Sequence, residues 1–232
     1  MGPKGILFDY GGTLVEEISF DTRAGNEWLF SRASHRPPDG ALEDVLARAN
    51  RISNEVAELR DKSHIETAWP TLTRLIHDFL GIRFDLSMAE LEMGFWKASV
   101  QTRPTPGARD ALVKLHRANV ALGVVSNTCF SEQVIRFELG KHGLLDHLAV
   151  VMVSADYSVR KPDVLLFDTA AARLGIQPKD IWFVGDRLDT DVIGAKNAGM
   201  SAVWFNPGRV PDTSRSADLS VADWDDFIQE AL

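Results

Sequence analysis

Five short apolar runs limit what this chain can fold into: Gly5 to Phe8, Ala121 to Ser126, Leu148 to Val153, Ile181 to Gly185 and Ala202 to Phe205. None alternates polar with apolar residues. A strand wetted on one face alternates, so these runs read as strands buried on both faces. Helical spacing fills the gaps near residues 107–118, 131–140 and 163–174. That rhythm fits a parallel sheet with helices on both sides, a Rossmann-like α/β core. The first run ends on Asp9, followed by Tyr10, Gly11 and Gly12. Glycines let the chain turn sharply and let backbone approach a ligand closely. The second run ends in Ser126-Asn127 and the fourth leads into Asp186. In a parallel sheet these ends share one edge, where open α/β sheets place their ligands.

From Leu14-Val15 to about Val100 the pattern is helical. Residues 19–33 carry Trp28, Leu29 and Phe30. From Ala41, apolar residues at Leu42, Val45, Leu46, Ala49, Ile52, Val56 and Leu59 keep helical spacing, with Asp39 as N-cap. Leu72, Leu75, Ile76, Phe79 and Leu80 form another stripe, stopped by Gly81. Ser87 to Glu90 reads as a capping box opening the next helix. The expected organisation is a core of residues 1–16 and 103–232, with an all-helical cap inserted at 17–102. The Pro- and Gly-rich stretch Arg103 to Gly107 closes the insert. A short terminal helix follows Asp223.

The net charge of −8 and the lack of a basic block argue against a nucleic-acid partner. One cysteine, Cys129, allows no internal disulfide and suits a reducing compartment. No apolar run reaches the length of a membrane span, and no signal peptide is visible. The expectation is a cytoplasmic protein, monomer or homodimer, without nucleic-acid or membrane partners.

Asp9 and Asp186 side by side would repel, so a cation or a proton must lie between them. Mg²⁺ suits two carboxylates and retained waters. Ser126 can donate to a phosphoryl oxygen, and Lys161, before Pro162, can neutralise its charge. Taken singly, Ser126 reads as a helix cap and Lys161 as a surface charge. Asp189 and Asp191 read as first-turn residues favoured by the helix dipole, a reading kept for Asp189. Taken jointly, in order and at strand ends, the set reads as a site.

These residues carry a resemblance to the haloacid dehalogenase-like hydrolase superfamily, in its form with a helical cap after the first motif. Asp9 to Thr13 resembles the first motif and Ser126-Asn127 the second. Lys161-Pro162-Asp163 with Phe167 resembles the third. Gly185-Asp186 through Asp191, with Gly194-Ala195 and Ala198-Gly199, resembles the fourth. The resemblance implies an aspartyl-phosphate on Asp9 and Mg²⁺ on Asp9, Asp186 and the Gly11 carbonyl, with Asp191 in support. It implies phosphate held by Ser126, Asn127, Lys161 and the backbone at Gly12 and Thr13, Thr13 also steadying the nucleophile. The expected activity is Mg²⁺-dependent hydrolysis of small phosphate esters under a mobile cap that closes over substrate. The alternative is a catalytically impaired member that binds a phosphorylated ligand or a protein partner.

The alternative arises at position 11. Phosphatases of this family carry a second aspartate there as general acid and base, and this chain has Gly11. Halide-cleaving members carry tyrosine, and phosphonate-cleaving members a smaller residue plus a cap lysine. Lys62 reads as a solvated helix-end lysine. Glu16 and Glu17 follow the first motif and can swing over the site. His35, His64 and His77 lie in the insert, where surface or packing roles are the ordinary expectation. The same holds for Cys129, Trp69 and Trp96 as buried packing residues.

Overall fold

The computed structural model describes residues 2–37, 41–213 and 216–232, so Asp39 lies outside the described residues. The core is a six-stranded sheet of β1 (Gly5–Phe8), β4 (Ala121–Ser126), β5 (Val150–Val153), β6 (Ile181–Gly185), β7 (Ser201–Phe205) and β8 (Leu219–Val221). The order is β5-β4-β1-β6-β7-β8, and every pairing is parallel. The three-residue β8 has too little apolar sequence to announce itself.

Alternate residues of each strand enter opposite layers, and both layers are dry. Ile6, Phe8, Val124, Val151 and Val184 face one cluster; Leu7, Val125, Met152 and Phe183 face the other. This double burial explains the unalternating runs. The first layer is closed by α5 (Ala108–Arg117), α6 (Glu132–Lys141) and α10 (Trp224–Ala231). The second is closed by α8 (Val164–Leu174) and the short α9 (Ile193–Asn197). Asp223 caps α10 by accepting from the Asp226 amide at 2.8 Å, and Trp224 packs edge-on to Phe8 at 5.8 Å. A single turn, α7 (Ser154–Tyr157), follows β5.

The insert departs from an all-helical reading at both ends. β2 (Val15–Phe20) and β3 (Val100–Pro104) form an antiparallel ribbon, with Glu17 opposite Thr102. The partners lie eighty or more positions apart, so neither segment signals the pairing locally. Between them run α1 (Thr22–Arg32), α2 (Leu42–Ser63), α3 (Trp69–Phe79) and α4 (Met88–Ser99). Ser87 and Glu90 form the expected capping box, and Gly81 takes a positive φ of 66° just past α3. None of the described helices is long and apolar enough to cross a membrane.

Three buried glutamates tie the helical insert to the core. Glu66 accepts from Arg160 Nη1 at 2.5 Å and from Ser154 Oγ at 2.8 Å. Glu92 accepts from the amide and hydroxyl of Ser131 at 2.9 and 2.6 Å. Glu138 accepts from Trp96 Nε1 at 2.9 Å. The Phe130 ring sits among Trp69, Phe95 and Trp96, 4.8 Å from Trp96. Trp69 and Trp96 are thus buried packing residues, and Trp96 also reaches the cleft below.

Candidate active site

β1 lies between β4 and β6, with Phe8 level with both Val124 and Val184. The next residues along these strands are Asp9, Val125 and Gly185. This register places Asp9 beside Ser126 and Asp186, at the edge chosen from sequence. They open into a cleft of about 960 Å³ between sheet and insert, which Gly11, Gly12, Asn127, Lys161 and Asp191 also line.

Lys161 is the centre of charge. It is 2% exposed, and its Nζ lies 2.7 Å from Asp9 Oδ1 and 2.8 Å from Asp191 Oδ1. Burial works against its ammonium, but Asp191 and Asp9 outweigh that and hold its pKa above the usual value. Asp9 shows the opposite balance. Burial, with Asp191 and Asp186 adding to it, overcomes Lys161 and pushes its carboxyl up to about 7. Asp186 is raised by burial and by Asp191. One lysine therefore faces three carboxylates.

Oxygens of Asp9, Asp186 and Asp191 lie within 4.8 Å of one another, and Asp186 Oδ1 is buried without a hydrogen-bond partner. An all-oxygen set with an excess of negative charge and an orphaned buried oxygen fits a hard divalent cation. Two glycines make this closeness possible. A Cβ on Gly12, whose φ is 74°, would lie 2.5 Å from Asp186 Oδ2. A Cβ on Gly185 would lie 2.3 Å from Asp191 Oδ2.

The remaining predicted residues fall around this centre. Ser126 is buried and lines the cleft. Asn127 clamps the Lys161 peptide: its Nδ2 donates to the Lys161 carbonyl at 2.9 Å, and its Oδ1 accepts from the Lys161 amide at 2.8 Å. The Gly12 amide donates to the Val15 carbonyl at 2.9 Å. The Thr13 hydroxyl is buried without a partner, and its carbonyl accepts from Thr105 at 2.7 Å. Asp163 caps α8, and Phe167 packs 4.9 Å from Phe183. Asp189 stands in the first turn after β6, as expected, and pairs with the Arg187 guanidinium at 2.8 Å, which with the backbone amides of the turn lowers its pKa.

The insert contributes Arg60 and His64, at the end of α2, to the cleft wall. His64 was a candidate; Arg60 was not, because a single arginine in a long amphipathic helix carries no positional signal. Tyr10, Thr102, Arg160 and Arg187 also line the cleft and were missed, although Tyr10 and Arg160 directly adjoin Asp9 and Lys161. Tyr10 is 7% exposed with a partnerless hydroxyl, and burial, Glu138 and Glu17 push its phenol above the usual range. His77 is a packing residue, edge-on to Phe84 at 4.9 Å, and Lys62 pairs with Glu58 on the surface of α2. Cys129 lines the cleft, but burial pushes its thiol up to about 12, which leaves it protonated and inert.

A parallel sheet with an aspartate just past its central strand, a buried lysine and an acidic cluster at its carboxyl edge defines a class. The chain belongs to the haloacid dehalogenase-like hydrolases, whose family model matches residues 6–205. It is 34% identical to the phosphoserine phosphatase of Thermus thermophilus over 99% of this chain and all of that one. It is 28% identical to the glyceraldehyde 3-phosphate phosphatase of Pyrococcus furiosus, over 79% of this chain and 80% of that one. Among solved structures it resembles a phosphatase of the family from Thermococcus onnurineus, with a TM-score of 0.63 and 23% identity over 98% and 99% of the two chains. A 2-haloacid dehalogenase from Pseudomonas syringae aligns with a TM-score of 0.66 and 22% identity over 97% and 96%. These two likenesses speak for the fold.

Proposed function

We propose that this protein is a Mg²⁺-dependent phosphatase of small phosphate monoesters that acts through an aspartyl-phosphate on Asp9. The observation that carries the reading is the Lys161 ammonium between Asp9 and Asp191, beside the orphaned oxygen of Asp186. The full-length likeness to a phosphatase supports it. Asp9, Asp186 and the Gly11 carbonyl would hold Mg²⁺, with Asp191 fixing the surroundings. The ion when bound supplies positive charge to the phosphoryl oxygens and to the carboxylates around it. Asp9 attacks phosphorus with its free oxygen. Lys161 and Ser126 take the charge and hydrogen bonds of the phosphoryl oxygens. Asn127 keeps Lys161 in place through its peptide. The insert, residues 17–102 against a core of 1–16 and 103–232, acts as a cap that excludes water and contacts the leaving group. The single cysteine and acidic balance suit a cytoplasmic enzyme, monomer or homodimer.

One observation favours a second reading: Gly11 puts no carboxylate where the family's phosphatases have one. On that reading the chain binds a phosphorylated ligand or a protein partner without turnover. Phosphate release from 4-nitrophenyl phosphate, with and without Mg²⁺, separates the two. The enzyme reading expects Mg²⁺-dependent release that Asp9→Asn abolishes. Release unchanged by Asp9→Asn, or no release at all from the parent, removes it.

A further inference from the structure

The space beside Gly11 is open. A Cβ built there meets no atom within 4 Å, and the residue lines the cleft. A side chain from elsewhere can therefore enter it. Glu16 is held away by Arg103, with contacts of 2.7 and 2.6 Å. Asp189 is held by Arg187. Glu17 lines the cleft and makes no side-chain hydrogen bond or ion pair among the described residues.

Its place on the ribbon sets it on the Gly11 side of the cleft. Gly11 bridges Val15, and Val15 also lines the cleft. Glu17 lies two positions further along β2, before the register shift between Glu17 and Ser19, so it shares the face of Val15. Two strand positions span about 6.6 Å. A glutamate folded back along the strand covers most of that distance. Tyr10, the residue before Gly11, carries a buried hydroxyl with no partner in the same cleft wall.

We propose that Glu17 is the general acid and base of this site, reaching the reacting oxygens from the ribbon in place of a carboxylate at position 11. The proposal rests on the reading of Asp9 as phosphoryl acceptor. In the first half-reaction an Asp9 oxygen bonds to phosphorus, the ester P–O bond breaks, and the leaving oxygen takes the Glu17 proton and departs as an alcohol. In the second, water attacks phosphorus and gives one proton to the Glu17 carboxylate. The Asp9–phosphorus bond then breaks, phosphate leaves, and both side chains return to their first state.

A proton donor matters most when the leaving group is a poor anion, so the dependence on leaving group is the diagnostic. Glu17→Gln is expected to lower kcat on an alkyl phosphate by ~10²–10⁴-fold, the range of general acid–base catalysis. On 4-nitrophenyl phosphate, whose phenolate leaves unaided, the loss should be far smaller. Gly11→Asp placed in the Glu17→Gln background should restore alkyl turnover, whereas Glu16→Gln should change neither substrate. Equal losses on both substrates, no loss on either, or an alkyl-selective loss in His64→Asn instead would overturn the assignment. Asp9→Asn, run alongside, tests the underlying reading separately: if its release matches the parent, that reading fails whatever Glu17 does.

Discussion

The two walls of the cleft are built on different principles. The sheet wall is rigid and charged: Asp9, Lys161 and Asp191 are nearly inaccessible, and each is fixed by a strand end, a peptide clamp or a close glycine. The helical wall offers side chains from the end of α2 and from the ribbon, and Glu17 and His64 there stand exposed. It is held to the core by carboxylates that lie outside the reacting centre, Glu66, Glu92 and Glu138. The difference teaches that the buried charge of the site is fixed by the sheet, while the facing wall, anchored separately, presents side chains that stand open to solvent.

The largest effect should come from the sheet wall. Lys161→Met leaves the buried carboxylates of Asp9 and Asp191 facing each other beside the half-buried Asp186, and should cost ~3–5 kcal/mol, as when one partner of a buried ion pair is removed. Urea unfolding should show the loss, and Mg²⁺ should recover part of it.

Next in size is the pH dependence of the metal-free protein. The Asp9 carboxyl is raised from 3.8 to about 7. Its contribution is thus fully present below its unfolded value and is lost as pH rises through about 7. Asp9→Asn should therefore stabilise the metal-free chain at pH 8, by a ceiling of about 4 kcal/mol at 1.36 kcal/mol per pKa unit, and confer no gain at pH 4. Thermal melts across that range check the sign; a gain that does not vary with pH would assign the strain to something other than Asp9.

Metal affinity should follow the walls as well. Asp191→Asn is expected to weaken Mg²⁺ binding by ~10–100-fold, as for groups that orient ligands, and Asp186→Asn by more. Asp189→Asn, paired to Arg187 on the surface, should leave it unchanged. Calorimetric titration of the three variants decides.

The ties of the helical wall should be weaker. Glu66→Gln should cost about 2 kcal/mol, the scale of hydrogen bonds to a charged group. It should also speed hydrogen exchange at residues 64–66 and 158–160 and leave Mg²⁺ binding intact. The smallest effect is expected at Lys62→Ala, which removes an exposed i,i+4 pair worth ~0.3–0.5 kcal/mol.

The sheet wall was legible in the sequence for the same reason that it is rigid. Parallel strands buried on both faces have an unmistakable composition, and their register alone brings Asp9, Ser126 and Asp186 together. The helical wall was not. β2 is stabilised by a partner whose Pro104 pairs with Val15, so its strand character is written far from itself. Arg60 comes to the cleft through the length and direction of a 22-residue helix, which no local pattern encodes. Asn127 was found by type, but its hold on the Lys161 peptide depends on a loop that sequence spacing leaves free.

Lys161 also bears on the order in which this protein is assembled. Its ammonium already occupies the gap between two acidic side chains, so the chain carries its own counter-ion within the fold. A newly made molecule can collapse and seal its interior before any divalent cation arrives. On the proposed Mg²⁺ chemistry, loading would then be a late event on a finished scaffold, and withholding the ion would leave an intact, idle protein instead of an unfolded one.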